Sequence, residues 1–176
     1  MTAFPGLTAG TWTVDPTHAE VGFVARHLMV AKVRGRFTEV SGTVEVGETL
    51  ADTSVRALAS AASISTNQAD RDGHLRSGDF LDVEAYPELT FVSTSVTADS
   101  MTGDLTIKGV SRSVTFDLEF DGVAGDPWGN TKAGFTATTS INRSDWGLTW
   151  NAALEGGGVL VSDKIALTLE IELLKG

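Results

Sequence analysis

Residues 71–80, RDGHLRSGDF, set Arg71, Asp72, His74, Arg76 and Asp79 within ten positions, with Asp70 and Asp82 just outside. Such residues do acid–base chemistry, ligate metals or pair with one another. Nucleophilic catalysis needs Ser, His and Asp to converge, and the chain has no Gly-x-Ser-x-Gly elbow or comparable signature. Asp70, Asp72, Asp79 and Asp82 offer carboxylate pairs, but acids so close to Arg71 and Arg76 favour ion pairs and helix caps. Metal binding fares no better. His18 and His27 lie nine residues apart, roughly 30 Å along a continuous strand, and on opposite faces. His74 approaches at most one of them, so no metal ligand, catalytic residue or cofactor is assigned.

A structural reading uses every one of these residues. A short helix over roughly Arg71 to Leu81, capped by Asn67 or Asp70, places acids at its positive end and turns Leu75, Phe80 and Leu81 toward a core. Arg71 and Arg76 then reach acids on neighbouring loops, and Phe80 plugs the end of whatever the helix covers. If this lid borders a ligand's polar end, Arg71, His74 and Arg76 are donors for a quinone, amide or phosphate. The neighbouring acids favour a neutral head group.

The elements beneath the lid are strands. In DKIALTLEIELLK, Ile165, Leu167, Leu169, Ile171 and Leu173 share one parity, and Thr168, Glu170 and Glu172 take the other, the period of a half-buried strand. SVTFDLEFDG alternates Val114, Phe116, Leu118 and Phe120 with polar residues, and EVGFVARH places Val21, Phe23 and Ala25 on one side. VRGRF, SGTVEV, SVRALASAASI, ELTFVSTSV, MTGDLTIKG and TKAGFTATTSINR complete the series, mostly between Gly, Asp or Asn turn signals. A turn or two of helix follows Ser144. Long antiparallel strands without linker or repeat read as one closed or nearly closed sheet. The whole chain, 1–176, is one domain, with 1–10 expected as a flexible N-terminal extension.

Two strands carry small residues on one face: Val55, Ala57, Ala59, Ala61 and Ser63 on one, and Ala133, Ala137 and Thr139 around Phe135 on the other. Inside a barrel they either fill the taper opposite large neighbours or leave an apolar tunnel. Trp146 and Trp150 in SDWGLTW anchor the core or rim an apolar opening. Glu155 to Gly158, EGGG, reads as a mobile loop, because no strand-to-helix context with a following Lys makes it a phosphate cradle.

Composition removes other classes. A formal charge of −10 and a pI near 4.6 oppose nucleic acid and anionic lipid surfaces, which need a basic footprint. No cysteine is present, so neither disulfides nor thiolate metal sites contribute. No apolar run reaches the ~18 residues of a spanning helix, and MTAFPGLTAG lacks the basic and apolar regions of a secretory signal, so stable membrane insertion is not expected and the expectation is a cytoplasmic protein.

Several stretches together resemble the YceI family, bacterial lipocalin-like proteins associated with polyisoprenoid binding. WTVDPTHAEVGFVARH is similar to the family opening, through Trp12, Asp15, His18, Phe23 and His27. VRGRFTEVSGTV follows, then TNQADRDGHLRSGDFLDVEAYPELTF with its Arg-Asp-x-His-Leu, Asp-Phe, Tyr-Pro and Thr-Phe elements, and GDLTIKGVSRSVTF and INRSDWG complete the order. Ala19 replaces the common Ser after the first His, and Trp146 the frequent Phe. The resemblance implies an all-β fold, a single extended antiparallel eight-stranded lipocalin-like barrel with a short helical segment over one end. It also implies a homodimer and a carrier without catalytic residues.

The resulting expectation is a barrel that binds, stores or transports a long isoprenoid-type lipid in its lumen. Phe23, Ala25, Ala57, Ala59, Phe91, Phe116, Leu118 and Phe135 are the candidate lumen contacts by parity and size, joined by His74, Phe80 and Trp146 at the lid. The alternatives are an enzyme on a small hydrophobic or lipid-like substrate, and a ligand-free interaction module whose lumen is filled by its own side chains.

Overall fold

The alternation in DKIALTLEIELLK becomes the final strand of a barrel and the seam that closes it. The computed structural model describes residues 3–28, 30–152 and 160–176; the EGGG tract at 155–158 lies outside them. In chain order the strands are β1 (Gly10–His27), β2 (Ala31–Phe37), β3 (Val40–Val46), β4 (Ser54–Ser60), β5 (Ile64–Ser65), β6 (Glu88–Val96), β7 (Ser100–Ile107), β8 (Val110–Gly125), β9 (Thr131–Asn142) and β10 (Lys164–Lys175). The helix α1 (Ala69–Arg76) lies between β5 and β6, and 3-10 turns η1 (Leu50–Asp52), η2 (Ala61–Ser63) and η3 (Arg143–Trp146) punctuate the loops.

Every ladder is antiparallel. The order runs β10-β9-β8-β7-β6-β4-β3-β1, and β1 pairs back with β10, so the sheet has no open edge there. β2 and β3 run in the same direction and share one edge of β1: Val21–His27 pair with β2, and Gly10–Thr13 with β3. β5 flanks β2 as β4 flanks β3. β2 with β3, and β4 with β5, each make one long strand interrupted midway, and the result is a closed eight-stranded barrel. Among the described residues no helix is long and apolar enough to cross a membrane.

Both ends are covered, and only one cover was expected. α1 begins at Gln68, whose side chain accepts from the Arg71 amide, and not at Asn67 or Asp70. Asn67 instead takes a left-handed backbone, φ 61°, which Asn tolerates better than most residues. The helix stops at Arg76, short of Leu81, and the chain then turns so that Phe80 and Leu81 are buried. At the opposite end the segment before β1, read from sequence as flexible, is packed. Phe4 and Leu7 are 2% and 3% exposed, and the Leu7 amide donates to the Phe4 carbonyl. The fully buried Trp12 satisfies its indole N–H on the Thr8 carbonyl at 2.9 Å.

Close approach between strands shapes the interior. An added Cβ at Gly103 would stand 2.5 Å from the Val92 carbonyl oxygen and 2.5 Å from the Phe91 ring. Glycine on β7 is therefore what lets Phe91 lie across the wall into the lumen.

Candidate lipid-binding site

Inside the barrel lies an apolar cavity of about 200 Å³. Its wall takes Val55, Ala57 and Ala59 from β4, Phe91 from β6, Phe116 and Leu118 from β8, Phe135 and Ala137 from β9, and the regular ladder of Leu167, Leu169, Ile171 and Leu173 from β10. Phe4 and Leu7 close it at the N-terminal end. Ala57, Ala59, Phe91, Phe116, Leu118 and Phe135, chosen by parity and size, therefore meet around one space. The small residues of β4 and β9 leave part of the taper open, although Phe4, Phe120 and Phe135 fill much of it as a cluster with ring centroids 5.1–5.3 Å apart.

Five of the expected contacts lie outside the cavity lining. Phe23 and Ala25 keep the inward parity of Val21, but they sit further along β1; the Phe23 ring packs on Phe37 at 5.9 Å and over Gly35. Trp146 is 3% exposed and donates its indole N–H to the Leu105 carbonyl at 2.9 Å. It anchors the lid end and forms no rim. Phe80 and His74 form a second aromatic group with Trp150, with centroids 4.5–5.4 Å apart.

Geometry makes RDGHLRSGDF a clasp. Arg71 donates through Nε to the Thr66 hydroxyl at 2.7 Å and through Nη2 to the Thr66 carbonyl at 2.9 Å. Arg76 reaches the Ala62 and Ile64 carbonyls, both at 2.9 Å. The expected acids on neighbouring loops are not their partners, because the lid crosses a chain segment whose carbonyls lost ladder partners where β4 breaks into η2. Asp72, 7% exposed, accepts from the Thr66 amide and hydroxyl. His74 Nε2 meets Asp79 Oδ2 at 2.9 Å. Among the described residues no Ser or Thr hydroxyl hydrogen-bonds the His74 ring, so the nucleophile of a triad is not in place there.

Sequence reasoning passed over Arg143. It is 6% exposed and donates to the carbonyls of Ser162 at 2.9 Å, Leu148 at 2.7 Å and Val161 at 3.4 Å, with its guanidinium 5.8 Å above the Phe80 ring. Burial pulls its pKa down, and Asp163 partly offsets that. This cation ties η3, the chain before β10 and the lid together. An Arg just after a strand beside Trp and Gly gave the only sequence signal, and it was ambiguous.

A second polar cluster lies on the barrel wall. Val14 pairs with Leu173 and Ala19 with Ile171, so five steps along β1 match two along β10, and Asp15–His18 bulge outward. Pro16 has no N–H for a ladder. Asp15, 7% exposed, shapes the bulge by accepting the Thr17 amide at 3.0 Å and hydroxyl at 2.7 Å. The Thr17 hydroxyl and the Lys132 ammonium hold its carboxyl at about 2. Asp15, His18 and Glu172 could together hold a cation. Lys132 Nζ already stands 3.0 Å from Asp15 Oδ2 and 3.5 Å from Glu172 Oε2, so a metal ion would have to displace an ammonium.

The fold is shared with known proteins. A YceI-like domain family model matches residues 12–173. The chain belongs to the YceI family. A UPF0312 protein of Staphylococcus aureus strain MSSA476 is 38% identical over 164 residues, covering 92% of this chain and 95% of that protein. Burkholderia cenocepacia BcnA superposes with a TM-score of 0.75 at 23% identity, covering 90% of this chain and 98% of its own. A polyisoprenoid binding domain from Saccharophagus degradans, implicated in plant cell wall breakdown, superposes with a TM-score of 0.73 at 14% identity, covering 94% of this chain and 98% of that one. Within this YceI barrel the bulge of β1 explains a change of parity. Val14 and Val21 both line the cavity, although an uninterrupted strand would send them to opposite faces.

Proposed function

We propose that this protein binds a long apolar isoprenoid-type chain, a polyprenyl or isoprenoid quinone, in its lumen and carries or stores it away from water. The observation that carries this reading is the cavity inside the barrel, walled almost wholly by aliphatic and aromatic side chains, with no catalytic constellation among the described residues that line it. The polyisoprenoid binding named for the Saccharophagus domain supports it from a shared fold.

The energetics suit a carrier. A buried methylene contributes about 0.8 kcal/mol, so a five-carbon unit contributes on the order of 3 kcal/mol or more. After several kcal/mol of association cost, three or four units reach micromolar affinity, near −8 kcal/mol. The cavity, about 200 Å³, is below the roughly 300–1,000 Å³ of sites for drug-sized ligands. A short chain fits as the barrel stands; a longer one needs Phe4 and Leu7 to withdraw. Selectivity then rests on chain length and width, and fatty amides of suitable length bind too. The family resemblance adds a homodimer to the proposal.

Native mass spectrometry of the purified protein, with organic extraction of anything released, tests ligand and assembly together. A stoichiometric polyprenyl, quinone or fatty-amide mass is the expected result. If the protein is clean and Trp fluorescence shows no saturable response to an isoprenoid quinone, the carrier reading fails and a ligand-free interaction module replaces it.

A further inference from the structure

We infer that the bulge of β1 is a lateral window in the barrel wall, and that the groove outside it holds the head group of the lumen ligand, a neutral hydrogen-bonding or cationic group and not a phosphate. The inference rests on the lumen-binding reading above and goes beyond it by placing the polar end.

Three observations lead there. First, both ends of the barrel are closed: Phe80, Trp146 and the Arg-tied lid cover one, and Phe4 and Leu7 fill the other. Second, the wall is unpaired beside β1. Ladder pairing with β3 ends at Thr13, pairing with β2 starts at Val21, and Asp15–His18 also leave the β10 ladder. On the facing edge, Thr38 and Glu39 turn away, the Thr38 amide donating to the Ser63 carbonyl and the Glu39 carbonyl accepting from Ser60. The Thr38 N–H and the Glu39 carbonyl thus bond across the wall to the β4–η2 segment and not to β1.

The third observation joins outside to inside. Over this breach lies a groove of about 780 Å³, and Phe37, Phe135 and Ile171 are among the residues that line it. The same three residues also line the lumen. Phe135 has Phe4 edge-on behind it, centroids 5.2 Å apart at 84°. Lumen and groove thus have three lining residues in common, and the Phe4 ring packs on one of them, Phe135, from inside.

The groove rim decides the head-group class. Glu20, Asp121, Glu170 and Glu172 face it with Arg36 and His18. Glu172 shares Lys132 with Asp15 and lies 3.7 Å from His18 Nδ1, and Asp121 accepts the Thr136 hydroxyl. Four carboxylates against one arginine disfavour a phosphate and favour an amine, an amide or a hydroquinone hydroxyl. The lid arginines, committed to carbonyls, do not compete for it.

The cysteine-free chain permits a direct test with single thiols introduced by Thr38→Cys at the window, Gly78→Cys at the lid and Thr8→Cys at the N-terminal plug. Gly78 has nothing within 4 Å of an added Cβ. Each variant is treated with N-dodecyl bromoacetamide, whose methylene carbon takes the thiolate sulfur as bromide leaves. Unreactive N-dodecyl acetamide is titrated in parallel by Trp fluorescence. The expected result is alkylation of the window variant at least about tenfold faster than of the lid or plug variant, after correction for tail-free N-methyl bromoacetamide. Dodecylammonium should also bind at least about tenfold tighter than dodecyl phosphate. Saturable amide binding with faster alkylation of the lid or plug variant, or with equal rates in all three, overturns the window. Tighter binding of the phosphate overturns the head-group class. Absence of amide binding refutes the lumen-carrier reading itself, and the window with it.

Discussion

Replacing Phe4 with Ala should lower stability and raise the affinity for long chains, two effects of opposite sign from one ring. Phe4 is 2% exposed, forms part of the cavity wall and packs on Phe120 and Phe135. A buried Phe→Ala change costs about 3–5 kcal/mol. The low end applies, because the segment before β1 can peel away instead of leaving a void. Its hydrogen bonds to the body are few: the Thr8 carbonyl accepts from Trp12, and the Leu7 amide closes a turn within the segment. The space vacated by six ring carbons takes roughly four methylenes of a ligand, worth about 3 kcal/mol, or roughly two orders of magnitude in Kd. A fatty-amide series titrated by Trp fluorescence reads this as chain length. In the parent protein each added carbon should tighten binding up to a plateau; in Phe4→Ala the plateau should move outward by about four carbons. Urea melts of the ligand-free proteins read the stability cost. An unmoved plateau in a folded variant would falsify the placement of Phe4 at the end of the ligand space.

Ala59→Trp should fill the lumen and weaken binding of a quinone by more than about a hundredfold, at a folding cost of about 1–3 kcal/mol; unchanged affinity removes Ala59 from the ligand's path. Asp15→Asn should cost on the order of 2 kcal/mol at pH 7. Its carboxyl is at about 2 in the folded protein against an ordinary 3.8, so the stabilisation is full above pH 4 and lost as pH falls through about 2; urea midpoints for the two proteins should converge across that window. Arg143→Met should cost about 3 kcal/mol or more by stranding buried carbonyls, and Arg143→Lys should recover only part of it, since one ammonium cannot span the fork. A Lys variant as stable as the parent in urea would show that the carbonyl contacts carry little.

Strand content and inward faces were legible wherever the ladder runs without interruption. On β10 one parity of aliphatics faces the cavity along most of its length, because its pairing with β9 has no register break. The lid was legible as well, since Leu75, Phe80 and Leu81 stand at spacings only a covered end explains. Its arginine partners were not: a broken strand makes free carbonyls, and backbone geometry is invisible to residue type. β1 misled for a related reason. Asp15-Pro16 interrupts an otherwise regular alternation, and an Asp-Pro pair is a turn signal. The bulge brings Val14 to the cavity beside Val21, while Phe23 and Ala25, of the same parity as Val21, lie further along β1 than the cavity lining. Phe4 and Leu7 stand in TAFPGLTAG, where no periodicity marks them; only their tertiary fit against Val123, Phe120 and Phe135 orders them.

The two closures differ in what opening them would expose. Lifting the lid would strand the Ala62 and Ile64 carbonyls held by Arg76 and break the contacts of Arg71 and the buried Asp72 with Thr66. Hydrogen bonds to charged groups are each worth about 1.5–3 kcal/mol, so that end is a fixed wall. Withdrawing the N-terminal segment exposes chiefly the apolar faces of Phe4 and Leu7. A lipid chain entering the same space covers the surfaces they leave behind and restores most of the burial lost by the cavity wall. The exchange of an aromatic ring for a hydrocarbon chain is therefore nearly balanced, whereas the exchange at the lid is not. Filling of the lumen is accordingly coupled to the segment before β1, and through the contact of Phe4 on Phe135 to the barrel wall beside the β1 bulge.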